Sequence, residues 1–137
     1  MRGRFHADPV AEPTTYIADS PETAWLEVGA PFRRVRAQPD AFRLYRVLLP
    51  EARLADLTHS KHRAELLRDP APPICLEIAR SLRRKEHGKD SGYDGLIYPS
   101  LRNRPQGICA AIFLERVKKI ALEPAEAEWS ALKERFR

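Results

Sequence analysis

The pattern of apolar and polar positions along the chain predicts a mixture of short strands and helices. Candidate strands are rich in β-branched and aromatic residues or alternate between apolar and polar positions. Such segments are TTYIA at 14–18, FRLYRVLL at 42–49, ARLADLT at 52–58, YDGLIYPS at 93–100 and GICAAIFLE at 107–115. The last of them is almost wholly apolar, which predicts a strand that is covered on both faces.

Helices are indicated by capping residues and by apolar positions at helical spacing. The sequence SPE at 20–22 predicts a helix start, and Gly29 and Pro31 are expected to end that helix. Further helices are predicted at 60–68, from Pro72-Pro73 to near Gly88 with Ile74, Ile78 and Leu82 on one face, and after Pro124 with Ala125, Trp129, Leu132 and Phe136 on one face. Because strands and helices do not alternate regularly, we predict an α+β fold, with small mixed or antiparallel sheets flanked by helices in a single domain over residues 1–137.

Composition and charge indicate a globular protein with an affinity for anions. The chain has 137 residues, of which 43% are hydrophobic, and this is enough to form a core without disulfides. The net charge is +5 and the isoelectric point is near 9.5, and most of the basic residues are arginines. Because guanidinium groups bind phosphate and carboxylate in forked pairs, nucleic acid, a dinucleotide or an acidic partner are all candidate ligands. Arginine-rich codon usage with solvated side chains explains the same composition.

Cysteine content and hydropathy indicate the cellular compartment of the protein. Cys75 and Cys109 are too few for a disulfide framework, and their spacing forms no metal motif. No apolar run approaches the roughly 18 residues that a membrane span needs, and the amino end lacks the apolar core of a signal peptide. We therefore expect a cytoplasmic protein with no membrane partner.

Three side chains in the amino-terminal part carry candidate chemistry. Gly3 permits close backbone approach to a ligand, and Arg4 supplies a forked donor for phosphate or carboxylate, with a solvated terminal arginine as the alternative. Tyr16 on the first strand and Glu27 late in the following helix are expected to face the same edge of a cleft. A carboxylate late in a helix opposes the helix dipole, so helix stability does not explain Glu27, although a solvated carboxylate is the alternative.

A second candidate group lies in the loop after the strand predicted at 93–100. Ser100 has no adjacent His or Lys and no G-x-S-x-G turn to activate it, so we expect Ser100 and Arg102 to bind substrate rather than to form a covalent intermediate. An ordinary loop serine is the alternative. His59 and His62 lack partnering cysteines or clustered carboxylates, so no metal site is expected. The sequence also contains no glycine-rich phosphate loop.

In their order along the chain, several short motifs resemble the RES-domain family. They are GRF at 3–5, YIADSPETAWLE at 16–27, DLT at 56–58 and YDGLIYPS at 93–100, followed by a loop and an apolar strand. The family is named for its Arg, Glu and Ser, and it comprises toxins of bacterial toxin–antitoxin pairs. The resemblance runs from Gly3 to about Glu115 and implies a fold similar to that of ADP-ribosyltransferases and degradation of NAD by hydrolysis or phosphorolysis.

The resemblance also implies roles for individual residues. The family Arg, Tyr, Glu and Ser fall on Arg4, Tyr16, Glu27 and Ser100. Glu27, Arg4 and Tyr16 are the expected catalytic residues: Glu27 stabilises an oxocarbenium-like ribose as nicotinamide leaves, while Arg4 holds phosphate oxygens and Tyr16 contacts the nicotinamide–ribose half. Ser100 is expected to fix the nicotinamide or a phosphate, and Arg102 to assist as a second cation.

The resemblance also implies a substrate and a protein partner. NAD is the substrate, no cofactor or metal is expected, and inorganic phosphate is the second substrate if the reaction is phosphorolysis. A cognate helix-turn-helix antitoxin is expected to cover the cleft, with an acidic tail that meets Arg4 and Arg102, and nucleic acid is contacted only through the antitoxin. Hydrolysis, phosphorolysis and ADP-ribosyl transfer stay open, because one carboxylate serves all three.

Two other functions fit the same sequence. The clusters Arg33-Arg34-Val35-Arg36 and Arg83-Arg84-Lys85 suit a non-catalytic basic domain that binds nucleic acid or a protein partner. A degenerate family member that acts only through its partner is the other alternative. In the family, a strand and some tens of residues usually precede the Gly-Arg pair, whereas Arg4 lies near the start of this sequence, so we expect its position to be poorly fixed.

Overall fold

A computed structural model of the chain describes residues 3–35, 42–86, 89–90 and 92–135. Within these residues helices and small sheets are mixed, which confirms the α+β prediction. In chain order the elements are β1 (Thr14–Ala18), α1 (Pro21–Val35), β2 (Tyr45–Leu48), β3 (Leu54–Asp56), α2 (Arg63–Leu66), α3 (Pro73–Arg83), β4 (Lys85–Glu86), β5 (Lys89–Asp90), β6 (Gly95–Pro99), β7 (Ile108–Phe113), β8 (Ala121–Pro124) and α4 (Glu126–Arg135).

Four of these strands form the central sheet, in the order β1-β7-β6-β3. β7 runs antiparallel to both of its neighbours, whereas β3 and β6 are parallel. Every residue of β7 after Ile108 is buried, so the prediction that this strand is covered on both faces is confirmed. The strand predicted at 14–18 is confirmed at the same residues.

The register of the central sheet brings several polar side chains onto one face. Cys109 of β7 pairs with Ala18 of β1 and with Tyr98 of β6. Because side chains alternate between the two faces of a strand, Tyr16 lies on the same face as Ala18. Tyr16, Tyr98 and Cys109 therefore project to the same side of the sheet.

This side of the sheet also carries most of the hydrophobic core. The ring of Phe5 is fully buried and packs against the ring of Tyr98, with centroids 4.7 Å apart. Burying a side chain of this size stabilises the fold by roughly 2–3 kcal/mol. Core residues from the helices and the remaining strands complete the cluster: Ala55, Leu66, Cys75, Ala79, Leu96, Cys109, Ala111 and Phe113.

The first helix is longer than the sequence predicts. Its start is as expected, because Ser20 Oγ accepts the N–H of Thr23 at 3.1 Å. The prediction that Gly29 and Pro31 end the helix was wrong, since α1 continues to Val35. Pro31 removes one hydrogen bond and a helical glycine costs about 1 kcal/mol. Before these two residues, α1 packs against α4.

The contact between these helices is aromatic. Trp25 of α1 and Trp129 of α4 have ring centroids 5.3 Å apart. Trp129 and Leu132 are buried, as the helical stripe predicts, and Phe136 of the same predicted stripe lies outside the described residues. The described residues of this apolar stripe are therefore part of the interior of the fold.

Other boundaries differ from the predictions for local reasons. α3 ends at Arg83 rather than near Gly88, because Arg84 has an extended backbone that leads into β4. The helix predicted at 60–68 is confined to Arg63–Leu66. β8, which pairs with β2, was not predicted. All four of its residues are exposed, so this strand has no buried face that would require a pattern of alternating apolar and polar residues.

The amino-terminal turn is fixed, contrary to the expectation from its place in the sequence. The Gly3 N–H donates to the His6 carbonyl at 3.1 Å, and the buried Phe5 between them anchors the turn in the core. A Cβ atom on Gly3 would overlap the His6 ring and the Tyr16 hydroxyl, so this close approach requires glycine.

Glu12 ties the segment after this turn to α3. Its carboxylate accepts the N–H groups of Ala7 and Asp8 at 3.0 and 3.3 Å, and it pairs with Arg80 at 2.8 Å. The hydrogen bond from Arg80 is the largest of the causes that lower the pKa of Glu12 to about 2. The charged form of Glu12 therefore stabilises the folded chain.

We expect this carboxylate to give the protein a measurable acid sensitivity. The pKa of Glu12 is lower in the folded chain than its ordinary value of 4.5, so its stabilisation is complete above about pH 5 and is lost as the pH falls toward 2. Glu12→Gln should lower the free energy of unfolding by about 1–3 kcal/mol near neutral pH and by much less near pH 3. Urea unfolding at both pH values measures this difference.

Glu51→Gln is the matched control, because the Glu51 side chain is 76% exposed and its nearest cation, Lys119, is 4.0 Å away. It should change the unfolding free energy by less than about 0.5 kcal/mol at either pH. Equal destabilisation by Glu12→Gln at both pH values would contradict the assignment.

Candidate functional site

A cleft of about 780 Å³ opens on the side of the central sheet to which Tyr16 projects. Its floor is formed by Tyr16, Tyr98 and Cys109, and its walls come from α1 and β2. Glu27 enters this cleft from α1. The expectation that Tyr16 and Glu27 face one cleft therefore agrees with the geometry, because both side chains line it.

Glu27 is held by the loop that follows β6. The Ser100 hydroxyl donates to Glu27 Oε1 at 2.5 Å, and the Arg102 N–H donates to the same oxygen at 3.2 Å. Ser100 itself is only 1% exposed. Its hydroxyl is thus directed at the carboxylate rather than toward solvent, and it orients Glu27 from behind.

The same loop is tied to α1 at a second point. Ser100 Oγ accepts the N–H groups of Arg102 and Asn103 at 3.2 and 3.0 Å, and Asn103 Nδ2 donates to Thr23 Oγ1 at 2.9 Å. Thr23 is buried one turn before Glu27 on α1. These contacts fix the spacing between α1 and the end of β6, and with it the position of the carboxylate.

Tyr16 is linked to the amino-terminal turn by its hydroxyl. The Phe5 N–H donates to Tyr16 Oη at 2.9 Å, and His6 Nδ1 lies 2.8 Å from the same oxygen. The residue is 36% exposed and lines the cleft. Partial burial is the main cause that raises the pKa of Tyr16 above its ordinary value, so the phenol is neutral at physiological pH.

Arg4 does not line the cleft that holds Glu27. Its Nη2 donates to the Arg68 carbonyl at 2.7 Å, and Nη1 lies 3.7 Å from Cys75 Sγ. Arg4 instead lines a neighbouring cavity of about 650 Å³, together with His6. The structure therefore places Arg4 next to His6, in a different cavity from Glu27.

Tyr98 is a residue of this site that the sequence analysis missed. It is 7% exposed, and burial raises the pKa of its phenol well above the ordinary value. Its side chain lines the same cleft as Tyr16 and Glu27. Its position two residues before Ser100 on one strand was the available signal, because alternation predicts that both side chains share a face.

Cys109 is the other residue that the sequence analysis did not assign to the site. Burial, followed by the negative charge of Glu27, raises the pKa of its thiol to about 12. The thiol is therefore protonated and poorly nucleophilic. Both cysteines are free and buried, and neither has the low pKa of a reactive thiolate.

The remaining candidate cations have partners within the fold. Arg102 pairs with Asp69 at 3.1 Å on the exposed rim of the site. Arg83, the first member of a basic cluster in the sequence, pairs with Glu115 at 2.6 Å and lies over the ring of Phe113 at 4.1 Å. The side chains of the other basic cluster, at 33–36, lie outside the described part.

In the described ranges no three His, Cys, Asp or Glu side chains are grouped as metal ligands, and His62 instead contacts Glu65 at 2.8 Å. None of the described helices is both long and apolar enough to span a bilayer.

Comparison with known proteins identifies the sequence pattern but no individual relative. A family model described as the RES domain matches residues 2–133 of the chain. This range contains all of the residues that form the cleft. No curated protein and no solved structure matches the chain.

The environment of Cys109 has a testable consequence. Because its pKa is about 12 and the side chain is buried, alkylation by iodoacetamide near pH 8 should be at least about a hundredfold slower in the folded chain than in urea. Peptide mass spectrometry distinguishes Cys109 from Cys75. Rapid labelling of Cys109 in the folded protein would contradict the packing of Glu27 and Ser100 against this thiol.

Proposed function

Because the chain belongs to the RES-domain family, we propose that it cleaves the nicotinamide–ribose bond of NAD in the cleft between α1 and the central sheet. One observation supports this most directly: the Glu27 carboxylate, oriented by Ser100, lies in a cleft large enough for a nucleoside. The Arg, Glu and Ser for which the family is named fall, in that order, on Arg4, Glu27 and Ser100 of this chain.

The chemistry needs a carboxylate more than it needs a general acid. The bond between ribose C1′ and the nicotinamide nitrogen breaks, the electron pair leaves with nicotinamide as a neutral molecule, and positive charge develops on the ribose. A carboxylate beside the ribose stabilises that charge and binds the hydroxyls of the sugar. The acceptor then adds to C1′ and loses its proton to solvent.

Glu27 suits this role because of which oxygen is already engaged. Ser100 and Arg102 both donate to Oε1. They do not occupy Oε2, which we assign to the ribose. Ser100 in this proposal is a positioning residue, since its burial and its hydrogen bond to Glu27 keep it from the substrate.

Tyr16 and Arg4 complete the proposed site. The exposed part of the Tyr16 ring offers a surface against which the nicotinamide–ribose half can pack. Two of the N–H groups of Arg4 have partners in the described chain, and an arginine carries five. The others are available for phosphate oxygens.

The acceptor decides the products, and product analysis tests the function. We propose incubation of the purified protein with NAD, with and without phosphate, followed by chromatography and mass spectrometry. ADP-ribose indicates hydrolysis, its phosphorylated form indicates phosphorolysis, and modification of an added protein indicates transfer. Folded protein that leaves NAD intact but is retained on nucleic acid in a salt-dependent way would favour the basic interaction domain.

A partner that suppresses this activity is part of the proposal. An enzyme that depletes NAD poisons its own cell, so a cognate helix-turn-helix antitoxin is expected to cover the cleft. Arg102 is exposed at the rim, where an acidic segment of the antitoxin can replace its contact with Asp69. Arg102→Glu with unchanged antitoxin affinity would argue against this binding mode.

Removing the negative charge of Glu27 is the first prediction for activity. Glu27→Gln and Glu27→Ala should each lower kcat for NAD cleavage by about 10²–10³, because they remove the group that stabilises the ribosyl cation. The rate of nicotinamide release measures the effect. Glu22→Gln, on the same helix and paired with Arg135, is the matched control and should retain the wild-type rate. Full activity of Glu27→Gln would exclude Glu27 from the chemistry.

A second prediction concerns the phosphate contact of Arg4. Arg4→Ala should lower kcat/KM for NAD by about tenfold to a hundredfold, mainly through KM, because it removes a charged hydrogen bond to the substrate. Arg4→Lys keeps the positive charge but loses the paired N–H donors of the guanidinium, so its kcat/KM should lie between the values of Arg4→Ala and the wild type. Arg53→Ala alters a cation in a different cavity and serves as the control. An unchanged KM in Arg4→Ala would contradict the assignment.

A further inference from the structure

We propose that the cavity beside the NAD cleft, lined by Arg4 and His6, binds the adenosine half of the dinucleotide. This inference rests on the proposed function and goes beyond it, because it assigns a second subsite and a specificity for dinucleotides over mononucleotides. The cavity is formed by the amino-terminal turn, the loop at 69–72 and the first turns of α3, and its volume is about 650 Å³.

The two cavities adjoin at a single side-chain contact. Tyr16 lines the cleft that contains Glu27, and His6 lines the second cavity. Tyr16 Oη and His6 Nδ1 are 2.8 Å apart, so this pair forms the ridge between the two spaces. A ligand bound in one cavity reaches the other by crossing this ridge.

The shape of NAD matches this arrangement. The dinucleotide consists of two nucleosides joined by a pyrophosphate, and each cavity has a volume in the range that is usual for one compact ligand. With the nicotinamide ribose at Glu27, the pyrophosphate falls at the ridge. Arg4 lines the second cavity together with His6 and supplies the forked donor that phosphate oxygens require.

The lining of the second cavity suits adenosine. Pro70, Pro72, Pro73 and Leu76 form an apolar wall for the faces of the purine, and the Glu77 carboxylate is exposed at the same cavity. Carboxylate oxygens accept hydrogen bonds from an exocyclic amino group or from ribose hydroxyls.

Glu77 is also the carboxylate that is available for a ligand. Asp69 in this cavity pairs with Arg102, and Arg80 pairs with Glu12. Glu77 has no hydrogen-bond or ion-pair partner among the residues that the structure describes. An incoming donor therefore finds its oxygens accessible without breaking an internal contact.

The test compares NAD with nicotinamide mononucleotide, which has the same scissile bond but lacks the adenosine half. Leu76→Trp fills the cavity, and Glu77→Ala removes the available carboxylate. Each should lower the ratio of kcat/KM for NAD to kcat/KM for the mononucleotide by about tenfold, the size expected for one charged hydrogen bond or one blocked contact. Glu51→Ala, an exposed carboxylate at a different cavity, should leave the ratio unchanged.

Binding of ADP gives a second measurement that does not depend on catalysis. Calorimetry should show that the wild-type chain binds ADP and that both variants bind it at least about tenfold more weakly. Glu77 lies exposed on α3, so Glu77→Ala keeps the test valid if Leu76→Trp fails to fold.

The outcomes separate this inference from the proposed function. If the protein cleaves NAD but both variants keep the wild-type ratio of the two kcat/KM values and the wild-type affinity for ADP, the adenosine subsite is wrong and the proposed reaction is still supported. ADP binding that both variants weaken, in a protein that leaves NAD intact, would support the subsite and overturn the reaction. Absence of both cleavage and ADP binding would overturn both.

Discussion

The hydrogen bond between Ser100 and Glu27 is the contact on which the geometry of the site depends. It joins the first helix to the loop that follows the central strand β6. Ser100 is placed for this role by the sheet itself, because its own N–H donates to the Gly107 carbonyl and closes the loop between β6 and β7. The Glu27 carboxylate is therefore positioned by a fully buried residue at the end of the central sheet.

The amino-terminal turn is attached to the same face of the central sheet. Tyr16 Oη receives the Phe5 N–H, and Phe5 packs on Tyr98, so the turn is attached both to β1 and to β6. This attachment needs glycine at position 3, where a Cβ atom would displace the Tyr16 hydroxyl. Arg4 thus gains a fixed position from its neighbours, although its own side chain contacts little more than the Arg68 carbonyl and Cys75.

Local patterns in the sequence predicted the strands β1 and β7, the start of α1 and the α+β class, because each depends on a few adjacent residues. They failed where tertiary contacts decide the outcome. The first helix α1 continues past its glycine and proline to Val35, and β8 pairs with β2, which is distant in the sequence. For the site, the family resemblance supplied Arg4, Tyr16, Glu27 and Ser100. The placement of Arg4 in a separate cavity and the central position of Tyr98 depend on sheet register, which the sequence does not reveal.

The distribution of arginine contacts bears on the choice between a dinucleotide and a nucleic acid. Affinity for a nucleic acid grows with the number of phosphates that are neutralised, so it requires several free cations on one face. Arg46 pairs with Glu123 and Glu128, Arg80 with Glu12, and Arg83 with Glu115, so binding to a phosphate backbone would have to break these contacts. A pyrophosphate carries only two phosphates, and one guanidinium beside Tyr16 meets that smaller requirement. Internal ion pairs thus engage several of the arginines in the described residues, and the Arg4 guanidinium, which pairs with no carboxylate there, suits a small anionic ligand.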